Sequence, residues 1–174
     1  MQKQYLEVGK IVGTHGIRGE MRVECWANSP DFLKTFKTLY LDEGMTAIAV
    51  SCRPHKNIAL MTAKGIGSIE EADKLRGKIL YIDRRDVKLD EGEHFVQDII
   101  GLKVTDADNG TVYGVVRDVL KTGSNDVYEM KAENGKLGSK LYYIPVIPDI
   151  LDRFDFDLGA VYIHPMKGLF DDED

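Results

Sequence analysis

Short runs of alternating apolar and polar residues, separated by glycine-rich or polar turns, recur along this chain of 174 residues. A period of two places successive side chains on opposite faces of a strand, so each run predicts a β-strand with one buried face. Six short strands within the first half favour a small closed barrel, because closure leaves no strand edge exposed. The predicted strands are 5–12, 21–25, 38–41, 45–53, 58–62 and 79–82.

Two short helices interrupt this pattern. Ser29, Pro30 and Asp31 predict a helix start, with a capping hydroxyl, a proline in the first turn and an acid at the positive helix end. This helix is predicted to span 31–36. Ser68 and Glu71 have the spacing of a capping box and predict a second helix that starts there.

The second half repeats the strand pattern, with turn sequences of Asp, Asn, Gly and Ser between the runs. It predicts a second small barrel, so the expected fold class is all-β with short helices. The polar, charged stretch between the halves places a first domain at 1–86, a linker at 87–92 and a second domain at 93–174. The last four residues, 171–174, are all acidic and are interpreted as a solvated tail. Predicted strands of this half are 102–105, 112–120, 127–131, 140–144 and 161–164.

Composition excludes several classes of protein. No apolar run approaches the ~18 residues that a membrane helix needs, and the N-terminus lacks the apolar stretch of a secretory signal. Two cysteines, Cys25 and Cys52, cannot staple a chain of this size, and we expect both to be reduced and packed. The sequence therefore predicts a cytoplasmic protein that does not enter a membrane.

Charge is divided unevenly between the halves. Residues 1–86 carry 14 Lys or Arg against 11 Asp or Glu, whereas residues 87–174 carry 9 against 18. A mildly basic surface favours phosphate backbones, and an acidic one favours basic proteins. The two predicted domains are therefore expected to have different partners, although inert proteins can show such asymmetry as well.

The glycine cluster Gly9, Gly13, Gly16 and Gly19 matches neither a Walker loop nor a dinucleotide-binding loop, because a strand follows it instead of a long helix. We interpret these glycines as positions that turn geometry requires. Alternatively, they form an exposed hairpin tip that presents Arg18 and His15 to a partner.

Basic side chains concentrate on the same predicted hairpin. On adjacent strands, residues of the same parity share a face, so a small basic patch is predicted that would contact RNA phosphates. The alternative is that these residues serve only as charges for solubility. The candidate residues are Lys10, His15, Arg18 and Arg22.

Support for catalysis is weak. The four histidines occur singly, without the spacing of metal ligands. Asp155 and Asp157 alternate with Phe154 and Phe156, which would place both acids on one face of a strand, either as a metal or catalytic pair or as a polar face opposite two buried rings. We predict no enzyme, no cofactor and no metal site, with a metal-dependent RNA-processing enzyme as the alternative.

Several blocks of the chain are characteristic of one family. The segment 8–20 resembles the opening signature of the ribosome maturation factor RimM family, and 70–77 resembles the family's helix. The segments 98–102 and 114–128 resemble its second-domain entry and its central block. Because the blocks keep their order along nearly the whole chain, we identify the chain as similar to this family.

The resemblance implies an N-terminal six-stranded barrel of the translation-factor type and a C-terminal PRC barrel. It further implies a non-enzymatic assembly factor that binds ribosomal protein S-nineteen and the assembling head of the small ribosomal subunit. Such a factor helps the 3′ domain of the small-subunit rRNA to fold and be processed. We expect it to act as a monomer. A general PRC-barrel interaction module without a ribosomal role is the alternative.

The family carries a pair of tyrosines just before the 98–102 block, linked to association with the small subunit. His94 and Phe95 hold these positions here. Phe95 keeps the ring without the hydroxyl, and His94 keeps a polar tip on a smaller side chain. The resemblance therefore assigns both residues to the ribosomal-protein interface, whereas packing alone would make Phe95 an anchor of the core.

Overall fold

The computed structural model describes residues 2–27, 29–133 and 137–170. The chain divides into two compact units, of which the first is Gln4–Lys88. The second consists of the described residues from Leu89 onward together with residues 2 and 3. The acidic tail predicted at 171–174 lies outside the described residues.

Six strands build the first unit, and they close into an antiparallel barrel in the order β1-β2-β5-β4-β3-β6. The barrel confirms the closed architecture that the short alternating runs predicted. Each predicted strand is present, and β1 continues three residues beyond its predicted end because it remains paired with β2. The strands are β1 (Tyr5–His15), β2 (Glu20–Cys25), β3 (Thr38–Leu41), β4 (Thr46–His55), β5 (Ile58–Ala63) and β6 (Ile79–Asp83).

Alternation along β2 shows how the barrel separates core from surface. Met21 and Val23 are fully buried, whereas Arg22 and Glu24 between and beside them are exposed. The core consists of aliphatic side chains and methionines, most of them at inward positions of the other strands, with Leu33 from the short helix at 31–34 and Leu60 from the outer face of β5. Its largest fully buried members are Leu6, Ile11, Met21, Leu33, Leu39, Leu60, Met61 and Leu80.

The glycine cluster serves two different purposes. Gly16 and Gly19 have positive φ values of 66° and 79° and form the turn between β1 and β2, as predicted. Gly9 and Gly13 lie instead within β1, so the interpretation of the whole cluster as turn glycines is wrong at these two positions. A Cβ atom at Gly9 would lie 2.5 Å from the backbone oxygen of Glu24 on the neighbouring strand. Gly9 is therefore required by the close approach of two strands, not by a turn.

The two helices of this unit are short. Helix α1 (Asp31–Lys34) ends before the predicted residue 36, and its start has no side-chain cap, so the predicted Ser29 hydroxyl cap is not formed. Helix α2 (Ile69–Asp73) has the predicted capping box: the Ser68 hydroxyl accepts a hydrogen bond from the Glu71 N–H at 3.2 Å. The Glu71 carboxylate in turn accepts the Gly67 N–H at 2.7 Å, which lowers the pKa of Glu71.

The second unit contains one six-stranded sheet in the order β10-β9-β8-β7-β12-β11, and helix α3 (Val96–Ile99) precedes it. All pairs are antiparallel except β12 with β7. The fold is thus mainly β with short helices, as predicted. The strands are β7 (Lys103–Asp106), β8 (Val112–Lys121), β9 (Asp126–Ala132), β10 (Leu141–Pro145), β11 (Leu151–Asp155) and β12 (Ala160–Ile163).

The core of this unit is aliphatic with two tyrosines, and half-buried aromatic rings surround it. Strand β10 stands at the end of the sheet order and stops at Pro145, where the missing N–H costs no ladder bond. Among the described residues, no helix is long and apolar enough to cross a membrane.

Candidate functional site

His94 and Phe95 immediately precede helix α3, at the start of the second unit. Phe95 caps the helix through its backbone, since its carbonyl accepts the Asp98 N–H at 2.9 Å. Both side chains are half-buried. Fixing the Phe95 backbone at a helix start holds the two rings in a defined position relative to the sheet.

An aromatic cluster forms around His94. The ring centroid of His94 lies 4.4 Å from that of Phe154 and 5.0 Å from that of Phe156. The two phenyl rings are parallel within 3° at a centroid distance of 5.5 Å. Offset and edge-to-face arrangements at such distances are the favourable ones for aromatic rings. We call His94, Phe154 and Phe156 the aromatic cluster of the second unit.

Burial lowers the pKa of His94 below its usual value, because the charged imidazolium loses hydration against the two phenyl rings. The nearby Asp98 carboxylate opposes this shift only in part. The lowered pKa favours the neutral ring, so the cluster presents a largely apolar surface whose polar atoms are the two ring nitrogens of His94.

The two acids between and after the phenylalanines do not share one strand face, so that prediction is wrong. Asp155 is the last residue of β11, and its carboxylate accepts the Leu158 N–H at 2.9 Å. Asp157 follows in the turn before β12. The turn begins two residues earlier than the alternation suggested. The two phenylalanines are half-buried against His94 and not fully buried. Within the described ranges, no group of three His, Cys, Asp or Glu side chains could hold a metal ion.

The basic residues of the first hairpin are all exposed, but acids lie between them. Lys10 on β1 is directly opposite Glu24 on β2, and His15 is opposite Glu20. Arg22 lies between these two glutamates on the outer face of β2, and Arg18 lies in the turn. The hairpin by itself thus presents alternating charges.

Two residues that the sequence reasoning missed lie beside this hairpin. The guanidinium of Arg53, on β4, donates two hydrogen bonds to the Glu20 carboxylate, both at 3.1 Å. The ring of His55, at the end of β4, lies 5.9 Å from the ring of His15. No local pattern could have linked these residues to the hairpin, because barrel closure alone brings them there.

The remaining titratable groups have structural surroundings. His164 follows β12, with its Nδ1 3.2 Å from Asp108 and its Nε2 3.6 Å from Asp152. Its pKa is raised, chiefly by the hydrogen bond to Asp108. Both cysteines are free; burial raises the pKa of Cys52 to about 11 and also raises the pKa of Cys25. Thiols with raised pKa values are poor nucleophiles at neutral pH.

Comparison with known proteins extends over both units. The family model for the RimM N-terminal domain matches residues 6–87, and that for the PRC-barrel domain matches residues 91–170. The ribosome maturation factor RimM of Clostridium botulinum is 39% identical over 166 residues, which cover 95% of this chain and 96% of that protein. The protein of the same name from Bacillus pumilus is 36% identical over 179 residues, covering 99% of this chain and all of its own.

A crystal structure of a RimM protein from Pseudomonas aeruginosa is 26% identical, covers 93% of this chain and 98% of its own, and superposes with a TM-score of 0.46. The family models and the relatives agree with the resemblance of the sequence blocks and with the PRC-barrel prediction for the second unit. On these matches over both halves, the chain belongs to the RimM family of ribosome maturation factors.

Proposed function

We propose that this chain is a non-enzymatic maturation factor for the small ribosomal subunit. Relatives that are named ribosome maturation factor match this chain over nearly their whole length. It would bind the assembling head region, where the 3′ domain of the small-subunit rRNA folds and is processed. A factor of this kind shifts an assembly equilibrium only when it binds the intermediate better than the finished particle.

The partner that we propose for the second unit is ribosomal protein S-nineteen, bound at His94 and Phe95. The observation that carries this proposal is the aromatic cluster, which presents half-exposed rings held rigidly at a helix start and a strand end. Aromatic residues are enriched in protein interfaces, where a few well-packed side chains carry most of the binding energy. The excess of acids in residues 87–174, 18 against 9 Lys or Arg, complements a basic ribosomal protein.

The partner that we propose for the first unit is rRNA, contacted through Lys10, His15, Arg18 and Arg22. The exposure of all four side chains on one hairpin of the barrel supports this proposal. Phosphate contacts of this type position a protein on RNA without reading its sequence. This rRNA contact is a prediction to be tested by experiment, and so is the expectation that the chain acts as a monomer.

Binding of the purified full-length chain to isolated ribosomal protein S-nineteen tests the protein interface. We expect saturable binding for the wild type and at least a tenfold loss, about 1.4 kcal/mol, for the His94→Ala/Phe95→Ala double variant. Tyr143→Ala is a matched control, because it removes an exposed aromatic ring of the same unit, 53% accessible, outside the aromatic cluster.

A folded double variant that binds as tightly as Tyr143→Ala would move the interface elsewhere on the second unit. Circular dichroism and thermal unfolding of each variant establish that it is folded. Failure of the wild type to bind would refute S-nineteen as the direct partner. Accumulation of precursor rRNA in cells that lack the protein, restored by the wild-type gene only, checks the maturation role itself.

A further inference from the structure

Cationic side chains from two separate hairpins meet on the outer face of the barrel. In the strand register, Arg22 on β2 is opposite Leu60 on β5, and Leu60 is opposite Arg53 on β4. Both arginines are exposed, whereas Leu60 between them is buried. The two arginines therefore lie on the same face of the barrel, on either side of one covered apolar residue.

Two imidazoles extend this face. His15 ends β1 and His55 ends β4, yet their rings lie 5.9 Å apart with a tilt of 52°. The two residues are 40 positions apart in the chain and belong to different hairpins. We call Arg22, Arg53, His15 and His55 the two-hairpin basic face.

One carboxylate organises this face. Glu20 accepts both hydrogen bonds from Arg53 and lies 3.9 Å from the Nε2 of His15. Its side chain is only 18% exposed, whereas that of Arg53 is 57% exposed. A guanidinium has five N–H donors, so Arg53 keeps donors for a ligand after the two that bind Glu20. Glu20 thus limits the orientations of Arg53 without covering it.

We infer that the two-hairpin basic face binds consecutive phosphates of an RNA backbone. The inference deepens the proposed rRNA contact and rests on it, because it adds Arg53 and His55 from the β4–β5 hairpin to the residues of the first hairpin. Arginine forks match phosphate oxygens in geometry as well as charge. A planar, partly oriented guanidinium beside the exposed His15 ring and the half-buried His55 ring suits a flexible backbone better than the alternating charges of one hairpin alone.

The test measures binding of the full-length chain to a labelled transcript of the 3′ domain of the small-subunit rRNA over a range of salt concentrations. Each phosphate contact contributes roughly 0.7–0.9 to the slope of log affinity against log salt. For Arg53→Gln/His55→Gln we expect weaker binding and a slope reduced by about that amount or more. Arg76→Gln/His164→Gln is the matched control, since Arg76 is equally exposed at 57% and also pairs with one carboxylate, that of Asp73.

A second variant should act in the opposite direction. Glu20→Gln removes the negative charge from the face while keeping a side chain of the same shape. We expect it to bind the transcript more tightly than the wild type, because phosphates no longer meet a carboxylate beside Arg53. If the Glu20–Arg53 pair has only a structural role, Glu20→Gln should show no gain in affinity for the transcript. A Glu20→Gln complex that is weaker than the wild-type complex would overturn the inference.

The outcomes separate the inference from the proposed function. If the wild type does not bind the transcript, or if Lys10→Gln/Arg18→Gln binds unchanged, the proposed contact of the first hairpin fails. A second outcome is that Lys10→Gln/Arg18→Gln loses affinity, whereas Arg53→Gln/His55→Gln has the same salt slope as the control variant. In that case the contact of the first hairpin stands, and only the addition of Arg53 and His55 is overturned. Thermal unfolding of each variant establishes that the barrel is intact.

Discussion

A glycine pair on strand β1 allows a controlled test of how closely the barrel strands approach. At Gly9 an added Cβ would lie 2.5 Å from the Glu24 backbone oxygen, a separation that real Cβ atoms essentially never show. At Gly13, on the same strand, the nearest atom to an added Cβ is Cδ of Arg22 at 4.0 Å. Neither glycine has a positive φ. The two positions differ mainly in the space for one methyl group.

Both Gly→Ala changes reduce the entropy of the unfolded chain, which by itself stabilises a protein by about 0.4–1 kcal/mol. This contribution is common to both variants and cancels in their difference. The steric contribution remains for Gly9→Ala only, because the clash is with backbone and no flexible side chain can move aside. Overpacking of this kind costs about 1–3 kcal/mol. We therefore expect Gly9→Ala to be less stable than Gly13→Ala by that amount.

Urea unfolding followed by tryptophan fluorescence measures this difference. Trp26 is the one tryptophan of the chain and belongs to the first unit, so its signal reports on the barrel. In thermal unfolding, the same difference corresponds to roughly 4–8 °C per kcal/mol for a domain of this size. Equal midpoints for the two variants would refute the close approach of β1 and β2 at Gly9.

Three further predictions concern titratable groups. The Arg85 guanidinium holds the pKa of the buried Asp83 carboxyl well below its usual range, with 2.6 Å between Arg85 Nη2 and Asp83 Oδ2. A depressed folded-state pKa contributes stability above the unfolded value of about 3.9, and this stability is lost as the pH falls through the folded value. Asp83→Asn should therefore destabilise the barrel by about 1–3 kcal/mol at pH 7 in urea unfolding, and this deficit should shrink only below about pH 4. An equal loss for Asp73→Asn, an exposed pair, would contradict this. By NMR titration, His164 should have a pKa above 6.5 and His94 one below it, because Asp108 stabilises the charged form of the first and burial disfavours that of the second. The stability from the His164 contact is then fully present below about pH 6.5 and lost as the pH rises through the folded pKa, so His164→Gln should destabilise the second unit at pH 6 more than at pH 9. The opposite order of the two histidine pKa values would refute this account.

Local sequence pattern predicted most of the secondary structure. The alternating runs identified each strand of the barrel, because a half-buried strand requires a period of two whatever its partners are. The capping box at Ser68 and Glu71 formed as predicted, since both of its hydrogen bonds are local. Errors occurred where distant partners decide the outcome. Strand β1 extends to His15 because β2 pairs with it, and Gly9 is a glycine because of an oxygen 15 residues away.

The candidate sites divide in the same way. The assignment of His94 and Phe95 to a protein interface rests on the blocks that the chain shares with its family, and it stays a prediction. The cluster of His94 with Phe154 and Phe156 was not predictable from the sequence, since the residues are about 60 positions apart and meet only when β11 packs beside the start of α3. The alternation at 154–157 did not predict the environment of these side chains, because the strand ends at Asp155, two residues earlier than the pattern indicated.

The sequence by itself determined the strand and turn pattern, the uneven charge of the two halves and the family to which the chain belongs. These properties are local or additive, so they can be obtained without knowing which strands are neighbours. Only the tertiary structure decided that Arg53 and His55 lie beside His15 and Glu20. Sheet pairing joins residues according to the order of strands around the barrel, and a period of two specifies which face a side chain occupies without specifying its neighbours.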